Sequence, residues 1–191
     1  MNTTSFWALR HAPVQARGLC YGWHEAKTGL SAEEAAERVL AYGQGEGQPL
    51  PRVEVVWSSP LQRCASLASV LATRLGATLA LDPDLREIHF GEWEGRLWSA
   101  IEAEDAARMQ EWMTNWQQVA PPGGESLPEF TARIERWWRL HAHKASTLLV
   151  AHAGVLRALE VLSGSLDWEQ AMAREVPSLR PARFALPATS P

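Results

Sequence analysis

Arg10 and His11 follow directly on a short apolar run, Phe6-Trp7-Ala8-Leu9. Arg63 comes just after Ser58-Ser59-Pro60, where a second apolar run stops, and His152 closes a third, Thr147-Leu148-Leu149-Val150-Ala151. Two guanidinium forks can hold the equatorial oxygens of a phosphoryl group through paired, charge-assisted hydrogen bonds. One imidazole nitrogen can attack phosphorus in line, provided an acceptor on the other nitrogen fixes the tautomer. A second imidazolium can stabilise charge on the group in flight. Positioning and charge stabilisation are most of what phosphoryl transfer requires. The leaving alkoxide also needs an acid. Candidates lie in Asp84-Leu-Arg-Glu-Ile-His-Phe-Gly-Glu-Trp-Glu-Gly95, and spacing alone does not choose among Glu87, Glu92 and Glu94. Arg17, Glu125 and Arg157 are weaker candidates. Each residue taken singly has a structural explanation: a solvated arginine, a satisfied buried histidine, a charged surface loop. Their joint placement at strand exits points to a site.

The elements that must position these groups follow from periodicity. Strands are expected at Phe6–Leu9, Val53–Trp57, the segment Ala77-Thr-Leu-Ala-Leu-Asp82 and the run ending at His152. Ser31 and Glu34 form a capping box for a helix over about 31–42. Ser59 can cap, and Pro60 open, a helix that Gly76 closes. A helical region is expected over about 97–118. Pro121-Pro-Gly-Gly124 breaks the chain, Ser126 and Glu129 cap the next helix, and a last one runs over about 155–162. The tail after Ser163 is Pro-rich, with Ala182-Arg-Phe-Ala-Leu186 a candidate final strand. Strands alternating with helices predict an α/β fold, three layers α/β/α around a mostly parallel sheet. Right-handed crossovers then gather the strand C-termini on one edge, where ligands bind.

The chain has 191 residues and a net charge of −4, which fits a single domain over 1–191 and argues against a general nucleic-acid binder. No run approaches the ~20 apolar residues of a membrane span, and the N-terminus does not resemble a secretory signal, so a cytoplasmic location is expected. The two cysteines, Cys20 and Cys64, are expected to be plain thiols. No metal or other cofactor is called for. His141-Ala-His143 sits at a helix end, where cations favour the dipole. Most of the ten tryptophans should pack the core, while a few could line a pocket for a flat organic group.

Five segments, in order, resemble the histidine phosphatase superfamily: "ALRHAP", "VVWSSPLQRCASLA", "LREIHFGEWEG", "PPGGES" and "LLVAHAGVLRAL". The resemblance implies a phosphoglycerate-mutase-like fold and hydrolysis of a small phosphate monoester. It makes His11 the phosphorylated nucleophile, Arg10 and Arg63 phosphate ligands, His152 the second pocket histidine and Glu87 the proton donor, with the backbone at Ala153 facing the phosphate. "GLCYG", "FGEWEGRLW" and "PPGGES" are similar to the alpha-ribazole phosphatase branch. That likeness implies alpha-ribazole 5'-phosphate or adenosylcobalamin 5'-phosphate as substrate. A broad small-ester phosphatase and a non-catalytic phosphate-binding module are the alternatives. Ala12 departs from the family's glycine, Pro13-Val14 from its Glu-Thr, and Trp23 from an arginine in a loop bordering the substrate. The oligomeric state is left open, a homodimer included.

Overall fold

The computed structural model describes residues 3–15, 17–45, 49–141 and 146–187. Five strands form one sheet: β1 (Thr3–Arg10), β2 (Val55–Ser58), β3 (Thr78–Leu81), β4 (Thr147–Ala151) and β5 (Ala182–Pro187), in the order β3-β2-β4-β1-β5. β1, β2, β3 and β4 run parallel, and β5 pairs antiparallel with β1 at the edge. The final strand expected over 182–186 is this edge strand.

Alternation along the strands divides the core into two layers. Phe6, Ala8, Leu149 and Ala151 face α5 (Leu127–His141) and α6 (Ala153–Leu162). Leu9, Val56, Leu148 and Val150 face α1 (Ala32–Gln44) and α2 (Gln62–Leu75). The result is the expected α/β/α sandwich. β4 is buried along its whole length, as suits its central position. Each fully buried leucine there contributes roughly 1.5–3 kcal/mol.

The helix ends follow local chemistry. Ser31 and Glu34 form the capping box of α1, and Gly76 closes α2 at φ +64°. The start of α2 differs from expectation. The helix begins at Gln62, not Pro60, and the Gln62 N–H donates to the Glu25 carboxylate (3.0 and 3.1 Å), while Ser59 Oγ only accepts from Leu61 N–H (3.3 Å). The region expected as one helix over 97–118 is two, α3 (Trp98–Glu104) and α4 (Ala106–Asn115). The break is Asp105, whose carboxylate accepts from Trp93 Nε1–H (2.8 Å) and Arg108 Nε–H (2.7 Å). A short helix in the tail, α7 (Trp168–Ala173), escapes the periodicity but carries its own capping box, Asp167 with Gln170. Among the described residues no helix is long and apolar enough to cross a membrane.

Candidate active site

Strand register brings the two histidines together. Arg10 lies opposite Ala151 in the parallel β1–β4 pair, so His11 and His152 leave the sheet side by side. The His11 N–H donates to the Ala151 carbonyl (3.0 Å), and the two imidazoles sit edge to face with centroids 5.2 Å apart. Arg63, in the first turn of α2, reaches the same point, its Nε–H donating to His152 Nδ1 (3.3 Å). Its remaining nitrogens donate to the carbonyls of Gly22 (2.5 Å) and His24 (2.9 Å), which ties the 20s loop to the site. Arg10 donates to the Val176 carbonyl (3.0 Å), and its Nε is buried without a partner among the described residues. His152 is fully buried behind the cavity wall. Ala153 opens α6 there, where backbone N–H groups have no intrahelical acceptor.

The protonation of each imidazole follows from its partners. His11 Nδ1 lies 2.6 Å from the Ala12 carbonyl, which can only accept, so the proton sits on Nδ1 and the Nε2 lone pair is available. Burial, with Arg63 and Arg10 nearby, lowers the His11 pKa to about 3 against the opposing bond to Ala12. His152 is pushed well below its ordinary value by burial first, then by His11 and Arg63. The imidazolium expected at this position is therefore a neutral ring whose Nδ1 accepts from Arg63 and whose Nε2–H is the donor. Beside it, burial raises the Cys64 thiol, and Cys20 is raised to about 12, so both are protonated, plain thiols.

The structure separates the three glutamates that spacing could not. Glu87 lines the cavity, its carboxylate accepting from the N–H groups of Ile88 (3.1 Å) and Gly154 (3.1 Å). Residue 154 must be glycine for this approach, because a Cβ there would collide with Glu87 Oε1. Glu94 is a staple instead: it accepts from the backbone N–H groups of Gly22, Trp23, His24 and Phe90 at 2.8–3.0 Å. Glu92 pairs with exposed Arg108 (3.0 Å).

Behind Glu87 stands Arg133, a residue that sequence reasoning missed. It is buried on α5, donates to the carbonyls of Asp84 (2.5 Å), Arg86 (2.7 Å) and Glu87 (2.9 Å), and pairs with Glu125 (2.6 Å). The signal was present, since Arg133 falls on the helix face of Phe130, Ile134 and Trp137, where an arginine needs acceptors. Glu125 thus serves Arg133 at the cavity edge. Trp23 also acts on this loop: its Nε1–H donates to the Glu87 carbonyl (2.7 Å) and its ring lies 4.6 Å from the Arg86 guanidinium. Trp23 itself does not line the cavity, whereas Leu19 and Tyr21 of the same loop do. Arg17 lines a separate groove, and Arg157 lines the cavity while donating to the carbonyls of Ala171 (3.0 Å) and Arg174 (3.2 Å). His141 contacts Asp82 (3.7 Å), and His143 lies outside the described residues.

Arg10, His11, Arg63 and Glu87 thus share one cavity of about 290 Å³. Residues 6–181 match the sequence profile of the Histidine phosphatase superfamily (branch 1). The chain belongs to the histidine phosphatase superfamily. It is 32% identical over 160 residues, 80% of this chain and 75% of its relative, to the adenosylcobalamin/alpha-ribazole phosphatase of Escherichia coli K12. It is 31% identical over 147 residues, 70% of this chain and 61% of its relative, to the glucosyl-3-phosphoglycerate phosphatase of Mycobacterium tuberculosis. The crystal structure of the alpha-ribazole phosphatase from Shigella flexneri superposes with a TM-score of 0.78 at 26% identity, covering 95% of this chain and 93% of that one. These relatives place the chain among the superfamily's phosphate hydrolases, and the fold is the phosphoglycerate-mutase-like one. The Ala12 departure is consistent with such a site, because the group that holds His11 is the residue-12 carbonyl and not a side chain.

Proposed function

We propose that this chain, as one domain acting in the cytoplasm, hydrolyses alpha-ribazole 5'-phosphate or adenosylcobalamin 5'-phosphate through a phosphohistidine at His11. His11 Nε2 attacks phosphorus as the P–O bond to the alcohol breaks, and the Glu87 carboxyl gives its proton to the departing oxygen. Water then attacks the phosphohistidine, Glu87 takes the water's proton, and inorganic phosphate leaves. Arg10, Arg63 and the Ala153 N–H hold the phosphoryl oxygens in both steps, and His152, buried behind them, orients Arg63 by accepting from its Nε–H. No metal or other cofactor enters this scheme. The observation that carries the reading is the neutral His11 ring, its proton committed to Ala12 and its other nitrogen beside two guanidinium groups. The substrate rests on the likeness to the Escherichia coli enzyme.

The test is acid-quench trapping with a 32P-labelled ester. Label is expected on His11, and His11→Ala should fold normally yet lose on the order of 10⁴-fold or more in turnover. Full activity in a folded His11→Ala variant overturns the mechanism, and phosphate binding without any trapped label favours a non-catalytic module. The likeness to a glucosyl-3-phosphoglycerate phosphatase motivates a second reading, a broad small-ester phosphatase. Flat, weak rates across a panel of esters would select it.

A further inference from the structure

The Glu94 carboxylate accepts from four backbone N–H groups, those of Gly22, Trp23, His24 and Phe90, at 2.8–3.0 Å. Successive N–H groups turned to one point form a nest, a backbone cradle for an anion, and here a side chain of the same chain fills it. Carbonyls of the same turn face Arg63, which donates to Gly22 (2.5 Å) and His24 (2.9 Å). The peptide joining Gly22 to Trp23 therefore lies between two charges: its N–H meets Glu94 and its C=O meets Arg63. Position 22 is glycine because a Cβ there would run into the Ile88 carbonyl and Glu94 itself. The nest is not what joins the two loops. Gly18 and Cys20 already bond through their backbones to Trp98, Gly95 and Arg96 at 2.8–2.9 Å.

We propose that Glu94 is a positioning residue for phosphate binding: through the Gly22–Trp23 peptide it fixes the direction in which Arg63 presents its guanidinium to the phosphoryl group. The inference rests on the reading of Arg63 as a phosphate ligand and adds the group that aims it. A guanidinium has five N–H groups. Arg63 commits three, to His152, Gly22 and His24, which leaves one on each terminal nitrogen for oxygens of the substrate. The two carbonyls decide where that remaining pair points. A carboxylate bonded directly to Arg63 would occupy the pair and repel the phosphate. Set one peptide away, Glu94 orients the fork without occupying it, and the polarised peptide strengthens the bonds at both of its ends. The same turn reaches the proton donor's loop, since the Trp23 indole N–H donates to the Glu87 carbonyl (2.7 Å).

The experiment is a double-mutant cycle on the Kd of inorganic phosphate, followed by NMR titration. Glu94→Gln sets an amide NH2 against backbone N–H groups and should raise that Kd about tenfold or more, the worth of one charge-assisted hydrogen bond. Arg63→Lys keeps the charge but loses the planar fork that spans the two carbonyls. Adding Glu94→Gln to it should therefore change Kd by less than about twofold. Equal fold-changes in both backgrounds, or none in the first, overturn the proposal and leave Glu94 a structural bond. Glu92→Gln, in the same loop but paired with exposed Arg108, should leave Kd unchanged, and a rise matching that of Glu94→Gln would also overturn it. Should a variant fail to fold or to bind measurably, the wild-type protein decides through linkage. If the ordered turn favours phosphate on Arg63, phosphate must favour the ordered turn. Hydrogen exchange at the Trp23 and His24 amides should then slow several-fold at saturating phosphate, and unchanged exchange overturns the proposal. Binding is read without turnover, so absence of label on His11 would reject the phosphohistidine mechanism and leave this test standing.

Discussion

The two ends of the cavity are built on different principles. At the phosphate end, Arg10, His11 and His152 stand at or just beyond the last residues of paired parallel strands, so sheet register sets their relative positions. At the aromatic end, Trp98, Trp112 and Trp168 stand on short helices outside the sheet, α3, α4 and α7, and Trp116 caps α4; Trp98 and Trp112 pack on Trp93 and Ile101, Trp116 and Trp168 on the main core. Changing one phosphate-end residue disturbs a hydrogen-bonded network tied to the core. Changing one wall residue alters an aromatic face of the cavity and leaves that network's hydrogen bonds in place. The difference teaches that sheet register fixes the phosphate end, while the aromatic end depends on how the short helices pack beside it.

The largest effect expected from breaking the phosphate end, short of removing the nucleophile, is that of Glu87→Gln. The amide keeps the size of the carboxyl but cannot donate an acidic proton to the leaving oxygen or accept one from water. Loss of a positioned acid–base group costs about 10²- to 10⁴-fold in kcat. The defect should shrink with p-nitrophenyl phosphate, whose leaving group needs no proton, and steady-state kinetics on both esters measures this. An equal loss on both would assign Glu87 to binding rather than proton transfer.

Next in size is Arg133→Met. It leaves the Glu125 carboxylate partly buried without its cation, held only by the His89 N–H (3.4 Å), and takes the side-chain donor from the Asp84 and Arg86 carbonyls, while the Glu87 carbonyl keeps Trp23. Breaking such a pair costs roughly 3–5 kcal/mol. For a chain of this length that lowers Tm by roughly 6–20 °C. Thermal unfolding followed by circular dichroism checks it, and a shift below about 2 °C would mean that the loop is held by other contacts.

A smaller effect concerns pH. His11, lowered to about 3, and His152, also lowered, are neutral in the folded protein. In the unfolded chain both titrate near 6.5. Above that pH neither state binds the proton and the two groups are silent. Below it the unfolded state binds more protons, so stability falls on acidification by up to about 1.4 kcal/mol per pH unit for each histidine. His11→Asn removes one of the two, so its stability profile between pH 6 and pH 4, from urea unfolding, should be shallower than wild type by about that slope. Parallel profiles would mean that His11 is protonated in the fold.

These three residues also show what the sequence could and could not disclose. Arg10, His11 and His152 were legible because each sits at a strand exit, which an apolar run marks, and Arg63 because it opens the helix that follows one. The capping boxes at Ser31 and Ser126 and the left-handed Gly76 located helix ends through side-chain chemistry a few residues long. Glu87 could not be separated from Glu92 and Glu94 by spacing, because a loop without periodicity leaves the direction of each carboxylate to partners distant in sequence: Gly154 for Glu87, Gly22 to His24 for Glu94. Arg133 was hidden for a related reason, since its carbonyl acceptors lie 46 to 49 positions away. The neutral state of His152 depends on burial, a property of the assembled fold.

Trp23 offers the finest test of the division between the two ends, because it is an aromatic residue that serves the phosphate end. Its indole N–H donates to the Glu87 carbonyl, and its ring supports Arg86 and lies 4.7 Å from the His89 ring. Trp23→Phe keeps much of the stacking surface and removes only the hydrogen bond. One such bond is worth about 0.5–1.5 kcal/mol net. The Glu87 carbonyl keeps its bond from Arg133, so the loop should stay in place and kcat should fall only about two- to tenfold, with KM for both esters nearly unchanged. Were Trp23→Phe to raise KM selectively for alpha-ribazole 5'-phosphate, Trp23 would contact the substrate, and the boundary between the two ends would have to be drawn through the 20s loop.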